Sequence, residues 1–133
     1  MTPNIWDYRE PLERALQYSG GTHTFEDVAQ MVFDQRAQLW PNGRSVAVTE
    51  VITYPRKRIL HCFLAGGKMS EIIEMMPHAA QWGASVGCAG FTIAGRKGWK
   101  RVLDRHGWKP TFTVLEIPIK QCYNKRKSEE TAA

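Results

Sequence analysis

Two neighbouring stretches of β-branched and apolar residues constrain the fold of this chain more than any other feature. Ser45–Tyr54 alternates between its two faces and is rich in valine, isoleucine and threonine, which predicts a strand. Ile59–Ala65 is apolar on both faces, as expected of a central strand that is covered on both sides. Because only Pro55–Arg58 separates the two stretches, the sequence predicts a β-hairpin inside a layered α/β fold.

Two helices are predicted ahead of this hairpin. The first spans Asp7–Tyr18, where apolar residues recur at helical spacing, and Gly20 and Gly21 end it. The second begins at Thr24, whose hydroxyl can cap the first turn of a helix. It is expected to run to the turn-forming cluster at residues 40–43, where proline, asparagine and glycine follow one another.

The part of the chain beyond the hairpin alternates between helix and strand signals. A helix starts near Ser70 and is expected to kink or restart at Pro77. It is followed by a short strand, Phe91–Ala94, a last helix that ends at Gly107, and a closing strand, Thr111–Ile119. This order predicts a single-domain mixed β-sheet with helices on both faces.

Length and charge set the domain organisation. A chain of 133 residues is the size of one domain, which we expect to span residues 1–119. Residues 120–133 are expected to form a basic, flexible tail that contributes to the net charge of +5. There is no apolar run long enough to cross a bilayer and no signal peptide at the start, so the sequence favours a cytoplasmic protein without a membrane partner.

Cysteine and histidine usage indicates neither a disulfide framework nor a metal site. Cys62, Cys88 and Cys122 are widely spaced and odd in number, and the first two are interpreted as small core residues. The four histidines are scattered along the chain without the spacing that a metal ion needs on one helix. We therefore expect no bound metal.

The order of elements over residues 24–119 resembles the GNAT superfamily of N-acetyltransferases. The most specific segment is Gly90–Trp108, which is similar to the strand, short loop, helix and Gly-aromatic ending of GNAT domains. The arrangement of glycine, arginine and tryptophan within it resembles small GNAT-like proteins encoded by tailed bacteriophages. That resemblance implies a protein of the host cytoplasm, with the virion as a second location.

The resemblance implies acetyl-CoA as the cofactor. In GNAT proteins, the turn after the central strand holds the pyrophosphate of coenzyme A on backbone N–H groups and on the start of the next helix. Arg96 and Lys97, near the start of the last helix, would serve the 3′-phosphate of the cofactor. The cofactor turn itself matches Leu64, Ala65, Gly66, Gly67 and Lys68.

This turn departs from the family pattern. It lacks the leading glutamine or arginine and the full glycine spacing of GNAT proteins. In addition, Glu71 and Glu74 lie in the first turn of the following helix, where a carboxylate competes with a bound anion for the positive end of the helix dipole. The sequence is therefore compatible with a cofactor turn that is kept in structure but degenerate in chemistry.

The resemblance also calls for a general base and a donor to the leaving thiolate. Glu50 is the candidate base, because it interrupts an apolar strand face where burial would raise its pKa. The alternative for Glu50 is that this part of the strand is simply solvated. His61, in the middle of the next strand, is interpreted as a hydrogen-bonded core histidine. Tyr54 is the candidate thiolate donor if it faces the cleft, because tryptophans stand where the family's usual tyrosine is expected.

Three functions follow from these patterns. The first is an acetyl-CoA-dependent N-acyltransferase, and the second is a non-catalytic phage protein that keeps the fold as a virion component or as a binder of a host protein. The third and weakest is a nucleic-acid-binding module, based on the basic residues 56–58 of the hairpin together with Lys100, Arg101 and Arg105. The sequence leaves the oligomeric state open: Trp40, Met75 and Trp82 could form a dimer patch or belong to the core.

Overall fold

A computed structural model describes residues 4–124 of the chain. A short 3-10 helix, Ile5–Tyr8, leads into two helices that precede the sheet, α1 (Arg9–Leu16) and α2 (Phe25–Phe33). The four strands are β1 (Gln38–Asn42), β2 (Ser45–Thr53), β3 (Arg58–Gly66) and β4 (Cys88–Ile93). The last two helices are α3 (Met69–Ser85), between β3 and β4, and α4 (Lys97–Asp104), after β4.

The strands form one mixed sheet in the order β1-β2-β3-β4. The first three strands pair antiparallel, and β4 pairs parallel to β3 after the crossover through α3. The predicted hairpin is therefore confirmed, as is the predicted α/β fold with a mixed sheet and helices on both faces. No helix among residues 4–124 is both long and apolar enough to cross a membrane.

Each face of the sheet has its own core. On one face, α1 and α2 bury Leu12, Val28, Val46, Val48 and Leu64. On the other face, α3 packs against the sheet through Leu60, Cys62, Ile72, Met76 and Ala79. Met75 is buried in this second core, and Trp40 and Trp82 pack there edge to face with their ring centroids 5.9 Å apart. These three residues thus contribute to the core rather than to an exposed dimer patch.

The start of α2 follows the sequence signal. The Asp27 amide donates to Thr24 Oγ1 at 3.2 Å, and the Thr24 amide donates to Asp27 Oδ2 at 2.9 Å, which closes a reciprocal capping box. The hydrogen bond from the Thr24 amide lowers the pKa of Asp27. The predicted helix start is therefore confirmed by its own side chains.

The predicted end of this helix was wrong. The helix ends at Phe33, and residues 38–42 form the edge strand β1 instead of a last helical turn. Gln35 takes a positive φ of 61°, and the amides of Arg36 and Ala37 both donate to the Met31 carbonyl, which closes the helix before the strand begins. By contrast, α3 runs through Pro77 without a restart, because the helix is held by burial of its inner face.

The predicted closing strand Thr111–Ile119 was also wrong. Residues 108–118 have no regular secondary structure, and residues 119–124 are helical. A strand needs a hydrogen-bonded neighbour, and none of the described strands pairs with this segment. Most of the predicted flexible tail, residues 125–133, lies outside the described part of the chain.

Packing at the end of β3 gives a stability prediction. A Cβ added at Gly66 would overlap the carbonyl group of Pro11 in α1, whereas a Cβ added at Gly98 in α4 would meet nothing within 4 Å. We expect Gly66→Ala to lower the free energy of unfolding by about 1–3 kcal/mol, because α1 must move off the sheet. Gly98→Ala should leave it unchanged or raise it by up to about 1 kcal/mol. Urea denaturation measures both, and equal stability of the two variants would contradict this account of α1 packing.

Candidate functional site

A bulge in β3 marks the point where the sheet opens. Val48 of β2 lies opposite Leu64, but the next residue, Thr49, lies opposite Cys62, so Phe63 is an extra residue in β3. On its other side β3 pairs with β4 only as far as Cys62 and Ile93, and the Ala94 amide makes one further bond to the Cys62 carbonyl. Among the described strands, residues 63–66 of β3 therefore have a free edge on the side of β4.

A cleft of about 770 Å³ lies at this end of the sheet. Its walls are the helix α1, the turn between β1 and β2, the turn between β3 and α3, and the segment between β4 and α4. The charged side chains in the lining are one carboxylate, Glu71, and four cations: Arg14, Arg44, Lys68 and Arg96. The cleft is thus suited to an anionic ligand.

Two aromatic side chains complete this lining. The guanidinium carbon of Arg96 lies 4.1 Å from the ring centroid of Tyr18, a cation–π contact between the segment before α4 and the residue just beyond α1. Trp99 lies on the same side of the cleft, against Gly95. The cleft therefore offers both flat apolar surfaces and positive charge.

The predicted cofactor turn is held by packing inside the protein. Gly67 has a φ of 115° and lies so close to Ser45 that a side chain would overlap it. The Lys68 amide donates to Ser45 Oγ at 2.8 Å, and Ser45 Oγ donates to Glu71 Oε1 at 2.6 Å. Lys68, the N-cap of α3, makes no side-chain cap bond. One of the amides that could hold a phosphate is thus already bonded to Ser45, with Glu71 next to it.

The structure brings together most, but not all, of the residues predicted to bind the cofactor. Ala65, Gly66, Gly67, Lys68 and Arg96 line the cleft. The side chain of Leu64 is instead buried in the core under α1, since the bulge turns it to that face. Lys97, the first residue of α4, is exposed and does not line the cleft. Sequence reasoning missed Arg14, Tyr18, Arg44 and Ser45, because nothing in the local sequence connects them to the turn.

A row of polar side chains crosses the sheet next to the point where β4 stops pairing. His61 of β3 lies opposite Glu50 of β2 and opposite Thr92 of β4. His61 Nδ1 is 2.7 Å from Thr92 Oγ1, and all three residues are half-buried. Carboxylate, imidazole and hydroxyl thus lie side by side, one on each strand.

The environment of His61 favours its neutral form. Burial lowers the pKa of His61, and the nearby charge of Glu50 opposes that shift without cancelling it. A neutral imidazole can accept a proton at neutral pH. The sequence interpretation of His61 as a hydrogen-bonded core histidine holds in part: its Nδ1 is paired with Thr92 Oγ1, but the residue is only half-buried, with Glu50 across the hairpin.

The next residue, Cys62, is a core residue as predicted. Its side chain is fully buried, and burial raises the pKa of its thiol to about 12. It therefore stays protonated at neutral pH and cannot serve as a nucleophilic thiolate. Among residues 4–124, no three histidine, cysteine or acidic side chains come together in a way that could hold a metal ion.

The side chain of Tyr54 lies away from the cleft. Tyr54 follows the last residue of β2, and its amide donates to the Lys57 carbonyl in the hairpin turn. The cleft is at the other end of β2, beside Ser45. At about 3.3 Å per residue, the nine residues of β2 separate the two by about 30 Å. The structure therefore does not bring Tyr54 together with Glu50 or with the predicted cofactor turn.

The connection between α1 and α2 lies over the same sheet face as the polar row. His23, just before α2, stacks on Phe63 at the bulge with the ring centroids 5.4 Å apart. Phe63 itself packs against the core formed by α1 and α2. The polar row and the cleft are therefore placed on either side of the bulge, with His23 above it.

Comparison with known proteins gives a structural likeness and no sequence relative. No protein-family model and no curated protein sequence matches this chain. Among solved structures, it is similar to a probable acetyltransferase, with a TM-score of 0.65 and 9% identity over 89% of this chain and 94% of that one. It is also similar to glucosamine-6-phosphate N-acetyltransferase from Arabidopsis thaliana, with a TM-score of 0.60 and 11% identity over 89% and 95% of the two chains.

A third similar structure is an aminoglycoside acetyltransferase from an uncultured soil metagenomic sample. Its TM-score is 0.58, with 10% identity over 86% of this chain and 87% of that one. At such low identity, these likenesses show the fold alone. The chain has the fold of GNAT acetyltransferases over nearly its whole length, as the sequence resemblance implied.

The polar row yields a prediction about the ionisation of His61. We expect NMR titration to give His61 a pKa below the ordinary value of about 6.5. Glu50→Gln should lower that pKa further, because it removes a charge that favours the imidazolium, whereas Glu74→Gln on the exposed side of α3 should leave it unchanged. Since the unfolded chain then binds a proton more readily than the folded chain, His61 should cost stability as the pH falls through 6.5. An unchanged pKa in Glu50→Gln would contradict the coupling.

Proposed function

We propose that this protein is an acyl-coenzyme A-dependent acyltransferase that acts on an amine. The observation that carries the proposal is the divergence of β3 and β4 beside a cleft lined by four cations. Among the described strands, residues 63–66 have no neighbour on the side of β4, so their backbone groups there can pair with an extended chain that carries amides. The cations next to it suit the phosphates of the same molecule. The fold shared with known acetyltransferases supports this assignment.

The residues present fit acetyl-CoA, but in a different way from the family pattern. Lys68 and Arg96 would meet the phosphates with their side chains, since the Lys68 amide is already bonded to Ser45. Tyr18 and Trp99 would cover the apolar parts of the ligand. When bound, the cofactor supplies an activated acyl thioester. In this proposal, the positive side chains of Lys68 and Arg96 contact the phosphates. They take the place of the contacts that the family's glutamine or arginine and its glycine-rich backbone would make.

His61 is proposed as the general base, with Glu50 as its partner. His61 is neutral at pH 7 because burial lowers its pKa, so it can take a proton from the attacking amine. Thr92 holds its Nδ1 and so fixes the orientation of the ring. The charge of Glu50 across the hairpin would stabilise the imidazolium that forms. The role of Glu50 thus changes from base to electrostatic partner.

A second proposal is a non-catalytic protein that keeps this fold to bind another protein. The observation that favours it is the internal bond from Ser45 to Glu71, which places a carboxylate where the cofactor turn would meet a phosphate. A negative charge at the start of a helix stabilises the helix and repels a second anion. Phage and host proteins are the partners that this alternative would predict. The two proposals differ in whether the cleft binds a cofactor at all.

Calorimetric titration with acetyl-CoA tests the first proposal. We expect binding of the wild type with micromolar affinity, weakened roughly 10- to 100-fold by Lys68→Ala or Arg96→Ala, because each removes a charge-assisted contact. Lys57→Ala is the matched control, since it removes the same charge from the hairpin turn at the far end of the sheet. Absence of binding at millimolar acetyl-CoA would reject the acyltransferase and leave the non-catalytic alternative.

The base is tested by release of the coenzyme A thiol in the presence of a panel of primary amines. We expect His61→Gln to lower kcat roughly 100- to 10,000-fold, the usual contribution of a positioned base, without weakening acetyl-CoA binding. The control is His78→Gln. His78 is exposed on α3, which packs on the sheet face opposite to the polar row, so this variant should keep the wild-type rate. A His61→Gln variant with wild-type kcat would show that the proton leaves by another route.

A further inference from the structure

The sheet face around His61 has a composition that bears on the acceptor, the amine that receives the acyl group. Side chains alternate between the two faces along each strand, so the pairing registers show which residues surround His61 on its own face. These neighbours are Val48, Glu50, Ile52, Ile59, Phe63, Gly90 and Thr92. Glu50 is the one charged residue among them, and all the others except Thr92 are apolar or glycine. His61 therefore lies beside one carboxylate on a largely apolar surface.

The helices α1 and α2 pack on the half of this face nearest the cleft, where their core includes Val48 and Leu64. On the other side of the polar row, toward the hairpin turn, lie the three residues of what we call the apolar patch: Ile52, Ile59 and Gly90. None of the three belongs to the core under α1 and α2. A Cβ on Gly90 would lie 3.0 Å from Ile59 Cδ1, so the glycine lets the Ile59 side chain lie across β4. Ile52 and Gly90 are half-buried.

The charge beside this patch is negative. Glu50 lies in the polar row at the border of the patch, and the connection between α1 and α2 contributes one basic side chain, His23. The cations of the hairpin turn, Arg56 and Lys57, are distant, since the four residues from Lys57 to His61 span about 13 Å along the strand. At physiological salt, charges this far apart are largely screened from each other. The cations of the cleft lie beyond the bulge, at the opposite end of the sheet.

We propose that the acceptor is a primary amine on an apolar body, bound with its nitrogen at His61 and its carbon chain on the apolar patch. This inference rests on the proposed acyltransferase function. His61 Nδ1 is 2.7 Å from Thr92 Oγ1, which leaves Nε2 to meet the amine. Glu50 beside it attracts a positively charged amine, and the patch removes the carbon chain from water.

The transfer itself uses the same groups. The amine nitrogen bonds to the acyl carbon, the carbon–sulfur bond breaks, and the amine proton passes to His61 Nε2 and from there to the departing thiolate. Two classes of amine fit this arrangement poorly. Amino acids and phosphorylated amines carry an anion next to the nitrogen, which Glu50 repels and no nearby cation of the strands offsets. Small polar amines lack the contact with the apolar patch.

A comparison of related amines tests the acceptor class. Phenylalaninol and phenylalanine have the same ring, amine and similar bulk, but only phenylalanine carries a carboxylate. With saturating acetyl-CoA, we expect kcat/KM from thiol release, expressed per unprotonated amine, to be roughly 10- to 100-fold lower for phenylalanine, because of its repulsion by Glu50. Ethanolamine should be about 10-fold or more below 2-phenylethylamine, because it lacks the apolar body. Equal values for phenylalanine and phenylalaninol would overturn the proposal.

A cation added to the apolar patch should relax this preference. We expect Ile52→Lys to raise the ratio of kcat/KM for phenylalanine to that for phenylalaninol about 10-fold, because the carboxylate gains a charge-assisted contact. The ratio cancels any change in the base, since both amines use His61. Thr53→Lys is the matched control, because it adds the same charge at the next, exposed residue of β2, whose side chain lies on the opposite face. A folded Ile52→Lys variant with the wild-type ratio would contradict the proposed binding mode.

NMR titration of the wild type with the same amines separates this proposal from the acyltransferase function. We expect phenylalaninol to shift the amide signals of Ile59, His61 and Thr92 and to bind about 10-fold or more tightly than phenylalanine. These shifts without thiol release from any amine would reject the acyltransferase and keep the apolar patch as an amine site. Thiol release without a preference among the amines would reject the acceptor class and keep the acyltransferase. No shift at these residues, with or without acetyl-CoA, would overturn the proposed site.

Discussion

The candidate functional site of this protein depends on where β3 stops pairing with β4. The last pair joins Cys62 to Ile93, and from there the free edge of β3 continues for four residues up to the turn before α3. The bulge at Phe63 lies at the same point, so the strand bends where it loses its neighbour. The cationic cleft, the polar row at His61 and the stacking of His23 on Phe63 are all arranged around this single opening.

The turn after β3 shows how packing and ligand binding compete for the same groups. Its two glycines allow close contact with Pro11 and with Ser45, so their lack of a side chain is explained by the protein's own packing. Ser45 bonds to both the Lys68 amide and the Glu71 carboxylate, which rigidifies the turn. The Lys68 amide is therefore no longer free to donate a hydrogen bond to a ligand. Positive side chains on three other parts of the fold offset that loss by surrounding the same space.

Catalytic candidates named from the sequence were separated by the sheet. Glu50 and Tyr54 are four residues apart along one stretch, yet Glu50 lies in the middle of the sheet and Tyr54 lies beyond the end of β2, in the hairpin turn. Glu50 lies in one row with His61 and Thr92, which belong to two other strands, and its proposed role depends on them. The order of strands decides which residues become neighbours, and no local pattern in this chain carries that information.

Local patterns in the sequence determined the hairpin, the start of α2 at Thr24 and the general α/β class, because hydrophobic periodicity and capping act over a few residues. The resemblance of residues 24–119 to GNAT proteins added the expected place of a cofactor turn. Only the tertiary structure decided that residues 38–42 form a strand and that residues 111–119 do not, since a strand exists only beside a partner. The tertiary structure also determined the candidate site. Its four cations, Arg14, Arg44, Lys68 and Arg96, come from four separate parts of the chain, and only the fold places them around one cleft, where β3 and β4 diverge.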